Sequence, residues 1–224
     1  MFLPDQPIAH QISNLATQTT PFSKDVQTLL SPEEAITLLK KGNERFITNL
    51  KVNRNLLQQV NATSESQHPF AVIISCMDSR TSAELVFDQG LGDIFSIRIA
   101  GNVINEDIIG SAEFGCKAVG SKVIVVLGHT GCGAIKGAVK DVDLGHLHFV
   151  TKKIQRCIPS LKKEFPGSTD EDMCAHVTRE NIVQGIQDLR TSSSILAGME
   201  HQGEIKIIGG LYDISTGAVD FFEA

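Results

Sequence analysis

Cys76, Asp78 and Arg80 stand at alternate positions directly after an apolar, largely β-branched run, Phe70–Ile74, in the segment PFAVIISCMDSR. A second reactive group follows another such run: KVIVVL (Lys122–Leu127) leads into Gly128-His129-Thr130-Gly131-Cys132-Gly133. Together they offer two thiols, an imidazole, a carboxylate and a guanidinium. Two thiolates and one imidazole form a soft-to-borderline donor set that suits tetrahedral zinc, with a fourth position left for water or for Asp78. Taken singly, each half has an ordinary reading. A strand cysteine is usually an inert core thiol, and Gly-rich strand-to-helix turns are common in α/β proteins. The combination favours a metal site, because both clusters fall at strand ends beside polar groups that core packing would not select.

Other chemistries fit less well. Cys76 to Arg80 is C-x3-R, too short to cradle a phosphate in the manner of a C-x5-R loop. Gly131–Lys136 lacks the Gly-Lys pair and the following Ser/Thr of a P-loop, since Ile135 precedes Lys136 and Gly137 follows it. No C-x-x-C occurs, which argues against dithiol redox chemistry.

The elements that must position these groups are legible as alternating strands and helices. Ser31-Pro32-Glu33-Glu34 is a helix start, with a capping Ser, a Pro at the first helical position and acids near the positive end of the dipole. Ala35, Leu38, Leu39 and Phe46 then follow at helical spacing toward an end near Leu50. A polar stretch, Asn53–Gln67, leads into the first strand. If the chain stays extended past that strand, Cys76, Asp78 and Arg80 point to one side. Ser82–Phe87 suits a short helix, Ile94–Ile99 a second strand, Asp107–Val119 a helix closed by Gly120, and Lys122–Leu127 a third strand. A helix runs from the Gly-rich turn to about Val139, and helical patterns dominate Phe149–Lys163 and Asp170–Arg190. Ile205–Leu211 is a fourth strand and Ala218–Phe222 an edge strand. The expected architecture is one α/β domain, residues 31–224, with a mainly parallel β-sheet flanked by helices. Residues 1–30, with Pro4, Pro7 and Pro21, read as an N-terminal extension or arm.

Composition limits the partners. The formal charge is −6, there is no Trp and Tyr212 is the single tyrosine. These features argue against nucleic acid and against an anionic membrane surface. No run is long enough to span a membrane, and the first twenty residues lack the basic leader and apolar core of a secretory signal. Five widely spaced cysteines suit a reducing, cytoplasmic setting.

CMDSR (Cys76–Arg80) with GHTGCGA (Gly128–Ala134) resembles the β-class carbonic anhydrases, zinc enzymes that interconvert carbon dioxide and bicarbonate. The likeness continues through Phe87–Ile104 (FDQGLGDIFSIRIAGNVI) and covers roughly residues 31–222. The resemblance implies a zinc ion held by Cys76, His129 and Cys132, attack of zinc-bound hydroxide on carbon dioxide, and an Asp78–Arg80 pair. In the family's open form Arg holds Asp off the metal; in its closed form Asp becomes the fourth ligand. It further implies substrate contacts at Gln67, Phe95 and Gly133, with Phe114 where plant-type members carry Tyr. An inhibitory bicarbonate site in some members uses Trp, Arg and Tyr; here Ile73 occupies the Trp position, and Arg98 and Tyr212 read as structural or interface contacts. Homodimers or homotetramers are expected, with the helical arm on a partner subunit. A carbon disulfide-type heteroallene hydrolase and a non-catalytic zinc-binding homologue are the alternatives. His68, His146, His148, His176 and His201 read as surface residues, and no proton shuttle is assigned.

Overall fold

The computed structural model of the chain describes residues 14–224. Strands β1 (Ala71–Ser75), β2 (Ile94–Arg98), β3 (Val123–His129), β4 (Lys206–Tyr212) and β5 (Val219–Phe222) form one sheet in the order β2-β1-β3-β4-β5. The first four are parallel and β5 runs antiparallel to β4. The expected α/β architecture with a mainly parallel sheet is therefore the one observed.

Every residue of β1 and β3 is buried, which is why both read as continuous apolar runs rather than alternating ones. Successive side chains still go to opposite faces. Ala71, Ile73, Val123, Val125 and Leu127 meet Ala35, Leu38 and Leu39 of α2 (Pro32–Ile47) on one side. On the other, Val72, Ile74, Ile124 and Val126 meet Ile182, Ile186 and Leu189 of the long α9 (Asp170–Ser192). Ser31 caps α2 as expected: its hydroxyl accepts from Glu34 N at 3.2 Å while Glu34 Oε2 accepts from Ser31 N at 2.8 Å. Asn43, buried on α2, ties the helix across the fold. Its amide donates to the carbonyls of Val86 and Gly217 at 3.1 and 2.8 Å and accepts from Val219 N at 2.9 Å.

Before α2 lies a short helix, α1 (Lys24–Leu29), and the part of the expected arm from residue 14 onward packs on this chain's own core through Ala16, Phe22 and Leu30. Residues 1–13 of that arm lie outside the described residues. The stretch Asn53–Gln67 contains a helix, α3 (Leu56–Ala62), that its pattern did not announce. Its inward residue is Gln59, whereas Leu56, Leu57 and Val60 are exposed, so the apolar spacing points away from the core. After β1 come α4 (Ala83–Val86), β2 and α5 (Glu106–Glu113). The helix expected to Val119 changes pitch at Phe114–Val119 into a wider turn, with Gly120 N bonded to Gly115 O, and Gly120 closes it. Beyond β3 and α6 (Gly133–Val139), the expected helix at Phe149–Lys163 is two, α7 (Leu147–Gln155) and α8 (Ile158–Glu164), with Pro159 in the first turn of the second. A further helix, α10 (Ser194–His201), follows α9, capped by Ser193.

Removing Asn43 strips partners from three buried or part-buried backbone groups, each costing about 1–3 kcal/mol when left unpaired. Asn43→Ala is expected to destabilise the protein by at least about 2 kcal/mol in a urea titration, with an unchanged slope.

Candidate metal centre

The β1–β3 register sets the site. Ser75 lies beside Leu127, so Cys76, one residue past the end of β1, falls level with Gly128, the residue before His129 in β3. Neighbouring strands are about 4.8 Å apart, and the ligand atoms of Cys76, His129 and Cys132 indeed lie within 4.8 Å of one another. All three residues are buried. Cys132 comes back to the cluster because the chain turns at Gly131, whose φ of +69° is in the left-handed region that glycine adopts without strain. Gly133, exposed at the start of α6, has no neighbour that would crowd a side chain, so its role does not depend on space.

His129 is oriented by its own surroundings. Its Nδ1 lies 2.9 Å from the Thr130 carbonyl, an acceptor, so the hydrogen sits on Nδ1 and the Nε2 lone pair is free. That Nε2 is buried and without a protein partner. The two sulfurs lie 3.9 Å apart. The Cys76 thiol is held well below the usual range, first by the Cys132 thiol and then by His129 and by the N–H groups of Asp78 and Gly101, against the cost of burial. Cys132 is pushed up, because its ionisation would set a second charge beside the first in a buried place. Two thiols 3.9 Å apart facing an unpartnered imidazole nitrogen form a set of three donors able to hold one cation. The donor set fits zinc and other borderline-soft divalent ions.

The chain does not remain extended past Cys76. Thr81 N bonds Asp78 O at 3.0 Å, and the resulting turn, rather than strand alternation, brings Arg80 onto Asp78. The pair is bidentate: Arg80 Nε to Asp78 Oδ1 at 2.9 Å and Nη2 to Oδ2 at 2.8 Å, with Arg80 N also donating to Oδ1 at 3.0 Å. These bonds hold the Asp78 carboxyl far below its ordinary range, the guanidinium making the largest contribution.

Two residues that the sequence did not mark as site residues fix this turn. The hydroxyl of buried Thr81 donates to the carbonyls of Cys76 and Asp78, both at 2.9 Å. Arg98, at the end of β2, donates to the same two carbonyls from Nε at 3.3 Å and Nη2 at 2.5 Å. The structural reading of Arg98 is thus the one the geometry supports. Its signal was present in the pattern, since a parallel neighbour of β1 must end beside it.

Gln67 and Phe95 do not join this cluster within one chain. Gln67 is exposed and precedes β1, whose five residues rise about 3.3 Å each, so it lies at the other end of the sheet. Phe95 pairs in register with Val72, four residues short of Cys76, and packs against Phe114 at a ring distance of 6.3 Å.

Comparison with known proteins follows the same lines. The sequence model of the family described as carbonic anhydrase matches residues 71–219. The chain is 34% identical over 196 residues to a carbonic anhydrase of Mycolicibacterium smegmatis, covering 85% of this chain and 93% of that one. It is also 34% identical over 193 residues to carbonic anhydrase 2 of Mycobacterium tuberculosis, covering 84% and 91%. Among solved structures, the β-carbonic anhydrase CafA of Aspergillus fumigatus matches with a TM-score of 0.67 at 25% identity, over 74% of this chain and 81% of that one. A mostly parallel five-stranded sheet with a Cys-His-Cys cluster at its carboxyl end defines an α/β protein with a candidate metal site beyond its strand ends. The chain belongs to the carbonic anhydrase family, in its β class.

Because Arg80 is the main cause of the depressed Asp78 carboxyl, Arg80→Ala is expected to raise that pKa toward the ordinary aspartate range. Carboxyl-carbon NMR titration reads it directly. The sign for stability follows: a depressed carboxyl contributes above its unfolded pKa, about 3.9, and loses that contribution as pH falls through the folded value. Arg80→Ala should therefore flatten the acid limb of the stability profile; an unmoved Asp78 resonance would remove the pair as the cause.

Proposed function

We propose that this chain is a zinc-dependent carbonic anhydrase that catalyses the reversible hydration of carbon dioxide to bicarbonate and a proton, with Cys76, His129 and Cys132 as the zinc ligands. The observation that carries the reading is the buried convergence of two thiols and an unpartnered imidazole nitrogen within 4.8 Å, beside a carboxylate held by an arginine. When bound, the metal supplies Lewis acidity that lowers the pKa of a coordinated water and yields a nucleophile near neutral pH. The familiar value of about 7 belongs to another carbonic anhydrase with three imidazole ligands. Two thiolates donate more charge, so the protein groups around the water carry more of the burden here.

Asp78 is the first of those groups. Kept ionised by Arg80, its carboxylate is an acceptor that would hold and orient a water bound at the metal. Released from Arg80, the same carboxylate would be a further oxygen donor for the ion. Gly133, next to Cys132, has an N–H at the first position of α6 with no helical partner and in this reading offers it to substrate.

Gln67 and Phe95 act in this reading from a partner subunit, giving a homodimer or a homotetramer. Three facts support it: their distance from Cys76 within one chain, the position of β2 at the sheet edge, and the exposure of Met77, Leu85 and Phe114 on segments around that edge. A cytoplasmic location suits five free cysteines, and no helix among the described residues is long and apolar enough to cross a membrane.

Cys132→Ser and His129→Ala are each expected to lose zinc and hydration activity together, read as metal content and stopped-flow rate on the same sample. Asp78→Asn is expected to keep zinc while turnover falls by about 100-fold or more, the scale of general acid–base contributions. A zinc-free but fully active Cys132→Ser would sink the metal assignment, and an undiminished Asp78→Asn would leave Asp78 only as a partner of Arg80.

A further inference from the structure

Cys76 receives one hydrogen bond that comes from neither the Asp78–Thr81 turn nor the other ligands. The Gly101 N–H donates to its Sγ at 3.3 Å. Gly101 sits in the short turn Ala100–Asn102 after β2 with φ of +65°, and a Cβ there would lie 2.9 Å from Ile154 Cδ1 and 3.1 Å from Ala134 Cβ. The peptide on the other side of the Gly101 Cα is held from α9, which restrains the glycine in the conformation that turns its N–H toward the sulfur. Asn181, buried in the middle of that helix, donates from Nδ2 to the Gly101 carbonyl at 2.9 Å.

Asn181 is an unlikely choice for helix or core alone. Asparagine is a poor residue for a helix interior, and a buried amide is costly unless it is bonded. Its chain neighbour Ile182 approaches the backbone of Gly128 so closely that a Cβ on Gly128 would lie 2.7 Å from Ile182 Cδ1. One turn of α9 therefore abuts both the end of β3, where Ile182 lies behind Gly128 next to His129, and the turn after β2, where Asn181 holds Gly101.

We propose that Asn181 is a positioning residue for the metal centre: by holding the Gly101 carbonyl it aims the Gly101 N–H at Cys76 Sγ. The hydrogen bond fixes the sulfur from one side and draws charge from it, so the sulfur would donate less to a bound metal. The inference rests on the reading of Cys76 as a metal ligand.

The test uses the full chain loaded with the NMR-active cadmium isotope. An N–H···S–Cd bond transmits a scalar coupling from cadmium to the amide proton. The parent is expected to show that coupling at the Gly101 amide, and Asn181→Ala to lose it. Cadmium affinity, read by chelator competition, should fall by about 10- to 100-fold, the usual effect of removing an outer-shell partner, while the variant still melts cooperatively. Thr178→Ala is the control: this hydroxyl on the same helix bonds only the Cys174 carbonyl, at 2.7 Å, and its loss should leave coupling and affinity at the parent's level. If Asn181→Ala does not fold, Asn181→Asp keeps the shape while removing the donor, and the same losses are expected of it.

A parent that binds cadmium through thiolates without coupling to Gly101 overturns this proposal alone. Retention of coupling and affinity in the Asn181 variants does the same, as does an equal loss in Thr178→Ala. A parent that binds no cadmium overturns the metal reading and this proposal with it.

Discussion

The parallel pairing of β1 with β3 fixes Ser75 beside Leu127, and the site depends on that register more than on any single side chain. Because side chains alternate, a slip of one residue would send Cys76 to the opposite face and separate it from His129. The register is specified from both sides at once. Ile73 and Val125 face the helices of one layer, Val72 and Val126 those of the other, and every position in both strands is buried. A slip would have to repack both layers. The apolar strands thus act as a ruler whose ends carry polar chemistry.

What the strands deliver is a frame with one movable part. The carbonyls of Cys76 and Asp78 are held by Thr81 and Arg98 together, so the backbone at both ends of that segment is fixed. The ligand cluster itself is enclosed by Val103, Ile135, Ile154 and Val177. Only the Asp78 carboxylate, tied to a half-exposed Arg80 side chain, sits where water can compete for its partner. Exposed ion pairs are weak and easily exchanged. The geometry therefore encloses the Cys-His-Cys cluster and leaves the Asp78–Arg80 pair at the water-facing side of it.

Much of this was legible in the residues because the relevant signals are local. Buried parallel strands write themselves as apolar runs, and Ser31-Pro32-Glu33-Glu34 forms the capping box it suggested. The clusters at Cys76 and His129-x-x-Cys132 lie where the strands end. What stayed hidden was relational. The outward-facing leucines of α3 gave no core stripe to recognise. The turn through Asp78–Thr81 depends on a hydroxyl donating to two carbonyls, which no spacing rule encodes. Gln67 lies nine residues before Cys76, yet a strand intervenes, so closeness in sequence became distance in space. Asn181 reaches the site from 80 residues away in the chain, through a backbone carbonyl.

That last case bears on how such a centre is stabilised. Two buried thiols 3.9 Å apart are mutually unfavourable once both are ionised, as the opposed behaviour of Cys76 and Cys132 makes plain. The fold must hold the cluster in position before any cation compensates it, and the compensation available from the protein is a set of N–H dipoles. The Gly101 amide donates to Cys76 Sγ at 3.3 Å, the Asp78 amide also lowers the Cys76 thiol, and those of Ala134 and Ile135, in the first turn of α6, favour the thiolate of Cys132. Such dipoles stabilise a thiolate only if they cannot turn away. The amides that face Cys132 are held by the helix they begin. Those that face Cys76 belong to turns, so they need fixing from outside, by Thr81 and Arg98 on one side and by Asn181 on the other.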